Sequence, residues 1–284
     1  MRRMTRPLHV TPLLALLAIA GIAHAQEQPL PDSRSFLADS LRSLRSNDLL
    51  RIRYTFTEKE ARYTYDSSGR VVKTQRRVYE MDPSLEPELT LRRLVSVNGV
   101  EPGDLAARDA EHRRKVQEWT ARRQREGQSA REARLRREAE EDRAEQAVVD
   151  ELTSIYDFRM TGRETIEGRP AIVYTFDPRP GYTPRTPQGR IIKSFRGQAW
   201  VDEQDRELVR LKTDVLETVS VKFGFIFRLL QGSRGHVERR KIDGETWLPT
   251  YTRFTGSGRV LFLWRVDLDQ ATEFTSYRKK PAGD

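Results

Sequence analysis

The chain has 284 residues, with 51 Lys and Arg against 42 Asp and Glu, for a formal net charge of +9. It holds no cysteine and only four histidines. Disulfides, thiolate nucleophiles and sulfur-ligated metals are therefore excluded, and stability must come from a packed core.

The N-terminus carries the first strong pattern. Arg2, Arg3 and Arg6 precede an apolar run from Leu13 to Ile22, and Ala23-His24-Ala25 then offers small residues before Gln26. That order is the layout of a secretory signal peptide cleaved between Ala25 and Gln26. Its apolar run falls short of the roughly 20 residues a membrane helix needs. A retained anchor is the alternative. With no cysteine after the cleavage site, the lipid anchor of N-terminal-cysteine lipoproteins is excluded. The expectation is a soluble chain exported to a bacterial periplasm. Export argues against nucleic acid as the partner of the surplus positive charge, and favours an anionic membrane surface or an acidic partner. A solvated arginine-rich surface is the plainer alternative.

Catalytic parts are scarce. His9 and His24 belong to the leader, leaving His112 and His236, too few for a histidine metal site or a serine–histidine relay. Ser233 lacks the G-x-S-x-G context of a nucleophile elbow, and no phosphate-cradling glycine loop occurs. Asp202 and Asp205 read as turn residues. These omissions point away from an enzyme, and no cofactor or metal is expected.

After a linker over 26–32, Ser33 is positioned to cap a helix through about Ser46, with Phe36, Leu37, Leu41 and Leu44 on one stripe. Asn47-Asp48 is expected to stop it. Leu50, Ile52, Tyr54 and Phe56 then alternate with polar residues, which predicts a strand. Further strands are expected at Ala61 to Tyr65, Val71 to Tyr79 and Leu89 to Val97, with turns at Ser67-Ser68-Gly69 and Asn98-Gly99. Residues 34–103 thus form the first part of a sheet with its N-terminal helix.

From Asp104 to Asp150 the chain is dominated by arginine, glutamate and alanine, with opposite charges three or four residues apart. This predicts a charged helical insertion, interrupted at Gly127-Gln128-Ser129, whose ends pack on the sheet. A lid or partner-binding arm and a solvated insertion without a specific task are both compatible with it.

Strand signals return over 151–280, ahead of a short tail at 281–284. Strands are expected near Ile155 to Met160, Arg163 to Ile166, Ala171 to Phe176, Arg196 to Val201, Leu208 to Val215, Val237 to Ile242 and Thr246 to Phe254. Asp177 to Gly189, with four prolines, reads as a loop. Val260, Phe262, Trp264, Val266 and Leu268 read as one face of a last long strand. Short turns without intervening helices mean antiparallel pairing.

One segment departs from half-buried alternation. Phe223, Phe225, Ile226, Phe227, Leu229 and Leu230 make a run that is apolar on both faces, and the last strand adds Phe262 and Trp264. These are the candidate lipid contacts; the other reading is that they fill the core under the first helix. A wide curved sheet closed on one side by helices leaves a concave apolar pocket, a common kind of ligand site.

Three strings carry a family likeness: Tyr156-Asp157-Phe158-Arg159 through Gly168-Arg169-Pro170-Ala171, then Gly197-Gln198-Ala199-Trp200-Val201-Asp202, then Trp247-Leu248-Pro249. With these the chain resembles the LolA/LolB-like periplasmic lipoprotein-carrier superfamily, most of all its uncharacterised outer membrane lipoprotein-sorting-like members. The resemblance covers Ile155 to Lys279 well and Phe36 to Val97 loosely. It implies a mainly β fold with helices (α+β), a curved antiparallel half-barrel packed on an N-terminal helix, enclosing a cavity for acyl chains. The charged stretch is longer and more polar than the lid helices of the carriers. Related half-barrels also act as envelope-stress sensors. The expected function is therefore non-catalytic binding or carriage of a lipid or acylated protein in the cell envelope. The alternative is a protein-interaction module or stress-sensing regulator that binds its partner through the charged helices.

Overall fold

A computed structural model describes residues 29–222, 226–260 and 264–281, and within them the side chains of all but residues 44–49, 87, 220–222, 226–228, 257–260 and 264–268. The expected leader, with Ala25 and Gln26, lies outside the described residues, as do Phe223, Phe225 and Phe262.

Helix α1 spans Ser33–Leu50. Its first turn is closed by Asp32: a carboxylate oxygen accepts the Ser35 N–H at 2.9 Å, and the Asp32 carbonyl accepts the Phe36 N–H at 3.0 Å. The cap is therefore Asp32, one residue before the expected Ser33, because a charged acceptor suits the positive end of a helix better than a hydroxyl. These bonds hold the Asp32 carboxyl below its ordinary range. The helix continues through Asn47-Asp48 to Leu50, and a 3-10 turn over Arg51–Arg53 follows. Strand β1, Tyr54–Tyr65, thus starts later than its alternation foretold, since that pattern ran unbroken across a helix–strand junction.

Strands β2 (Val71–Asp82) and β3 (Leu91–Val97) extend the sheet from β1. The charged insertion forms α2 (Leu105–Gln124) and α3 (Gln128–Ile155), interrupted at Gly127, the N-cap of α3. Helix α2 packs beside β3, where Arg93 holds Asp109 through two bonds of 2.9 Å. The C-terminal end of α3 packs on β4 (Tyr156–Ile166). Then come β5 (Arg169–Pro178), α4 (Pro187–Ile192), β6 (Phe195–Asp202) and β7 (Leu208–Val215). The proline-rich loop therefore contains a short helix: Pro187 begins it, and the Thr186 hydroxyl caps it by accepting the Gly189 N–H at 2.8 Å.

Of the apolar run, Ile226–Leu229 forms a short strand, β9, which pairs with β8 (Val219–Lys222) just ahead of the run. After β10 (Arg234–Ile242), β11 runs Thr246–Val260 and β12 runs Trp264–Lys279. The single last strand expected through Val260 and Trp264 is thus two, with Val260 pairing across to Trp264. The alternation ran from one strand into the next because neither Val260 nor Trp264 announces a break.

The strands run β3-β2-β1-β12-β11-β10-β7-β6-β5-β4, antiparallel throughout, and β9 attaches to the end of β11. The two outer strands of that path, β3 and β4, do not pair with each other, so the sheet is curved and unclosed. Bulges such as those at Met160/Gly162, Trp200/Val201 and Glu238/Arg239 bend individual strands. The fold is the mainly β half-barrel with helices that the resemblance implied.

One face of the sheet is covered by α1. Phe36, 2 % exposed, sits among Ile172, Tyr174 and Val201, its ring 6.2 Å from that of Tyr174. A second cluster, Phe56, Tyr79 and Met81 with Phe274 and Tyr277, fills the far part of the same face. Truncating Phe36 removes the anchor of α1, so Phe36→Ala should lower unfolding free energy by about 3 kcal/mol or more in denaturant titration. A loss under about 1 kcal/mol would mean that α1 is not a structural cover.

Candidate functional site

Between α1 and strands β4–β7 lies a cavity of about 290 Å³. Its floor comes from strand residues in register: Tyr174, Ala199 and Leu211 stand opposite one another on β5, β6 and β7, with Phe158 and Phe176 paired beside them. Leu37 and Leu41 of α1 form the roof, while Leu152 of α3 and Ile192 of α4 form the end. Among the described residues, no Asp, Glu, Lys, Arg or His lines it.

Four hydroxyls stand in the wall, those of Ser40, Tyr156, Tyr174 and Thr213, and the first three are already used. The Ser40 hydroxyl donates to the Phe36 carbonyl within α1 at 2.7 Å. The Tyr174 hydroxyl donates to the Ser33 carbonyl at 3.0 Å, and that of Tyr156 to the Ile192 carbonyl. Burial pushes both phenols above their ordinary value, so they stay neutral. The interior therefore offers dispersion and apolar area, with no charge to hold a head group or to transfer a proton.

The end wall is held by one buried carboxylate. Glu151 of α3 accepts the Thr186 hydroxyl at 2.7 Å, the Thr186 N–H at 3.2 Å, the Tyr182 hydroxyl at 3.0 Å and the Arg185 N–H. Burial alone would raise its pKa, but these donors outweigh that and hold it at about 2. The loop closes so tightly here that a Cβ on Gly189 would meet a Glu151 oxygen at 2.7 Å. This anchor places Leu152 and Ile192 against the cavity. Sequence reading missed it, although an acidic residue among the apolar positions Val148, Val149, Leu152 and Ile155 was the available signal.

Of the candidate lipid contacts, Leu229 is buried and Leu230 half-buried, and neither lines this cavity. The backbone register sets Phe227 of β9 and Trp264 of β12 on either side of Val260, with Ile226 opening β9. Strand β8 lies against α4, which carries Ile192 of the cavity's end wall. The lining residues themselves read in the sequence as ordinary core alternation, which does not distinguish a filled space from a hollow one.

Other polar clusters are committed to structure. Asp202 binds Arg169 through bonds of 2.6 and 2.9 Å and accepts the Asp205 N–H at 2.7 Å, while Asp205 accepts the Trp247 indole N–H at 2.9 Å. Burial lowers the pKa of His236, which stands edge-on to Tyr251. Among the described residues no group of three or more His, Asp or Glu is placed to hold a metal ion.

No protein-family model matches the chain, and no curated protein matches it. Among solved structures it is similar to a DUF1329 family protein from Desulfovibrio piger: 11 % identity, 88 % of this chain and 94 % of that one, TM-score 0.32. It is also similar to a LolA superfamily protein from Nitrosomonas europaea: 10 % identity, 90 % and 96 % covered, TM-score 0.27. A third similarity is to the MucA/MucB complex structure of Pseudomonas aeruginosa: 12 % identity, 86 % and 100 % covered, TM-score 0.23. Identities this low transfer no residue's role to this chain.

Because the folded Glu151 carboxyl titrates below its ordinary value of 4.5, its contribution to stability is complete above that pH and is lost as pH falls toward 2. Glu151→Gln should flatten that acid-limb loss in pH-dependent urea titrations. At neutral pH it should cost about 3 kcal/mol, because an amide cannot accept from all these donors. Tyr156→Phe should cost about 1 kcal/mol in the same assay, for the Ile192 carbonyl it leaves without a donor.

Proposed function

We propose that this protein is a non-catalytic binding or carrier protein for a lipid or acylated ligand of the bacterial cell envelope, working in the periplasm after export. The observation that carries the reading is the cavity under α1, lined among the described residues by aliphatic and aromatic groups and four hydroxyls, three of them already bonded, with no charged side chain. A methylene occupies about as much room as a water molecule, about 30 Å³, so 290 Å³ takes roughly ten carbons of an alkyl chain. At about 0.8 kcal/mol per buried methylene, roughly 8 kcal/mol of transfer free energy is available before the costs of association. Micromolar retention needs about 8 kcal/mol net, so this burial on its own sets micromolar as an upper limit on affinity and allows release, which suits a carrier. The basic surface favours approach to an anionic membrane or to an anionic head group.

The second reading, a partner-binding module or stress-sensing regulator, is favoured by α2. That helix has no buried residue and is tied by ion pairs to β3, through Arg93 and Asp109, and to the connection before β3, through Arg123 and Glu86, leaving most of its charged surface exposed.

The deciding experiment is lipid extraction and mass spectrometry on protein purified from its native host without detergent. Near-stoichiometric acyl species support the carrier. Lipid-free protein that co-purifies with an envelope protein would replace that reading with the second. Ala199→Phe, which fills the floor of the cavity, should weaken binding of a fluorescent ten-carbon fatty acid at least about tenfold while far-ultraviolet circular dichroism stays unchanged. Undiminished binding by a folded variant would place the ligand elsewhere.

A further inference from the structure

A second hollow, about 430 Å³, lies in the seam between α1 and α3. It exists because the two helices face each other there with small side chains, Ala38 on one and Val149 on the other, which leave the gap between the helices unfilled. Its rim is polar: Arg42 pairs with Asp39 along α1, and the Gln146 amide donates to Asp150 along α3. Among the described residues, Leu41 alone lines both this hollow and the cavity on the sheet. It is half-buried.

From this geometry we infer that the α1–α3 seam is an outer chamber of the same ligand site, and that Leu41 is the partition between the chambers. The inference rests on the acyl-binding reading above and assigns a ligand class to it: an unbranched acyl chain longer than about ten carbons. The first carbons past the head lie in the outer chamber, the chain passes Leu41, and its methyl end reaches the aromatic floor at Tyr174 and Phe158. The polar head stays at the rim among Arg42, Gln146 and Asp150, where water and side chains of both signs meet it. A leucine is suited to the partition because exchange between its staggered rotamers needs no backbone movement and takes nanoseconds where the side chain is partly exposed. The charged insertion then has a definite task. Its second helix supplies one wall of the ligand's way in, and the Glu151 anchor holds that wall in place.

The test measures affinity for decanoate and hexadecanoate by displacement of a fluorescent fatty acid from delipidated full-length mature protein. Wild type should prefer hexadecanoate. Leu41→Ala, which opens the partition, should raise the hexadecanoate-to-decanoate affinity ratio at least about threefold. Leu41→Trp should lower that ratio about tenfold, equivalent to roughly two methylenes denied burial. Val149→Trp, which narrows only the outer chamber from the α3 side, should lower it in the same direction and covers the case in which a Leu41 variant fails to fold. Folded variants that all keep the wild-type ratio overturn the partition while leaving acyl binding intact. Wild-type protein that binds neither acid overturns both the partition and the acyl-binding reading.

Discussion

An antiparallel sheet that never meets its own far edge must cover its apolar face with something other than another sheet. Here that constraint falls on the strip formed by β4–β7, where Ile172, Tyr174, Phe176 and Val201 point to one side. A single helix answers it. Phe36 plugs one part of the strip, and α1 lies across the rest with side chains too few to reach the floor everywhere. The hollow is what remains, and its apolar character follows from the strip beneath it.

The hollow persists because its surroundings are stiff. Glu151 ties α3 to the loop ahead of α4 through four donors, and the tyrosine hydroxyls of the wall are bonded to backbone carbonyls at its margins. Collapse of the space would require breaking bonds made by buried groups, each costly to leave unmade. The same bonds remove polar atoms from the interior. One set of contacts thus gives the site both rigidity and dryness, while the mobile element is reduced to a leucine side chain.

Much of the fold was legible along the chain. Asn98-Gly99, Glu167-Gly168 and Asp243-Gly244 each adopt positive φ at both residues, and each was readable as a tight turn between alternating segments. Leu208 to Val215 was read to its limits. Errors fell at junctions: Leu50 and Ile52 continued a strand pattern inside a helix and its 3-10 extension, and one pattern ran from Val260 of β11 to Trp264 of β12 without a break. Helix α4 was hidden by its prolines, although Pro187 at a first helical turn is where that residue favours a helix. The cavity was legible as a type but not in its residues. Tyr174, Ala199 and Leu211 are far apart in sequence and look like any inward-facing positions.

The amino-acid order alone determined which segments are extended, that the stretch after Asp104 is a charged helical insertion, and that one face of the sheet must be covered. Those properties come from period, turn chemistry and charge, which act over a few residues. The tertiary structure decided where apolar surface is left uncovered, because that depends on how far α1 reaches across strands brought together from distant parts of the chain. It also decided that Glu151 is an anchor and Leu41 a wall between two spaces, since each role is defined by neighbours that local sequence does not name.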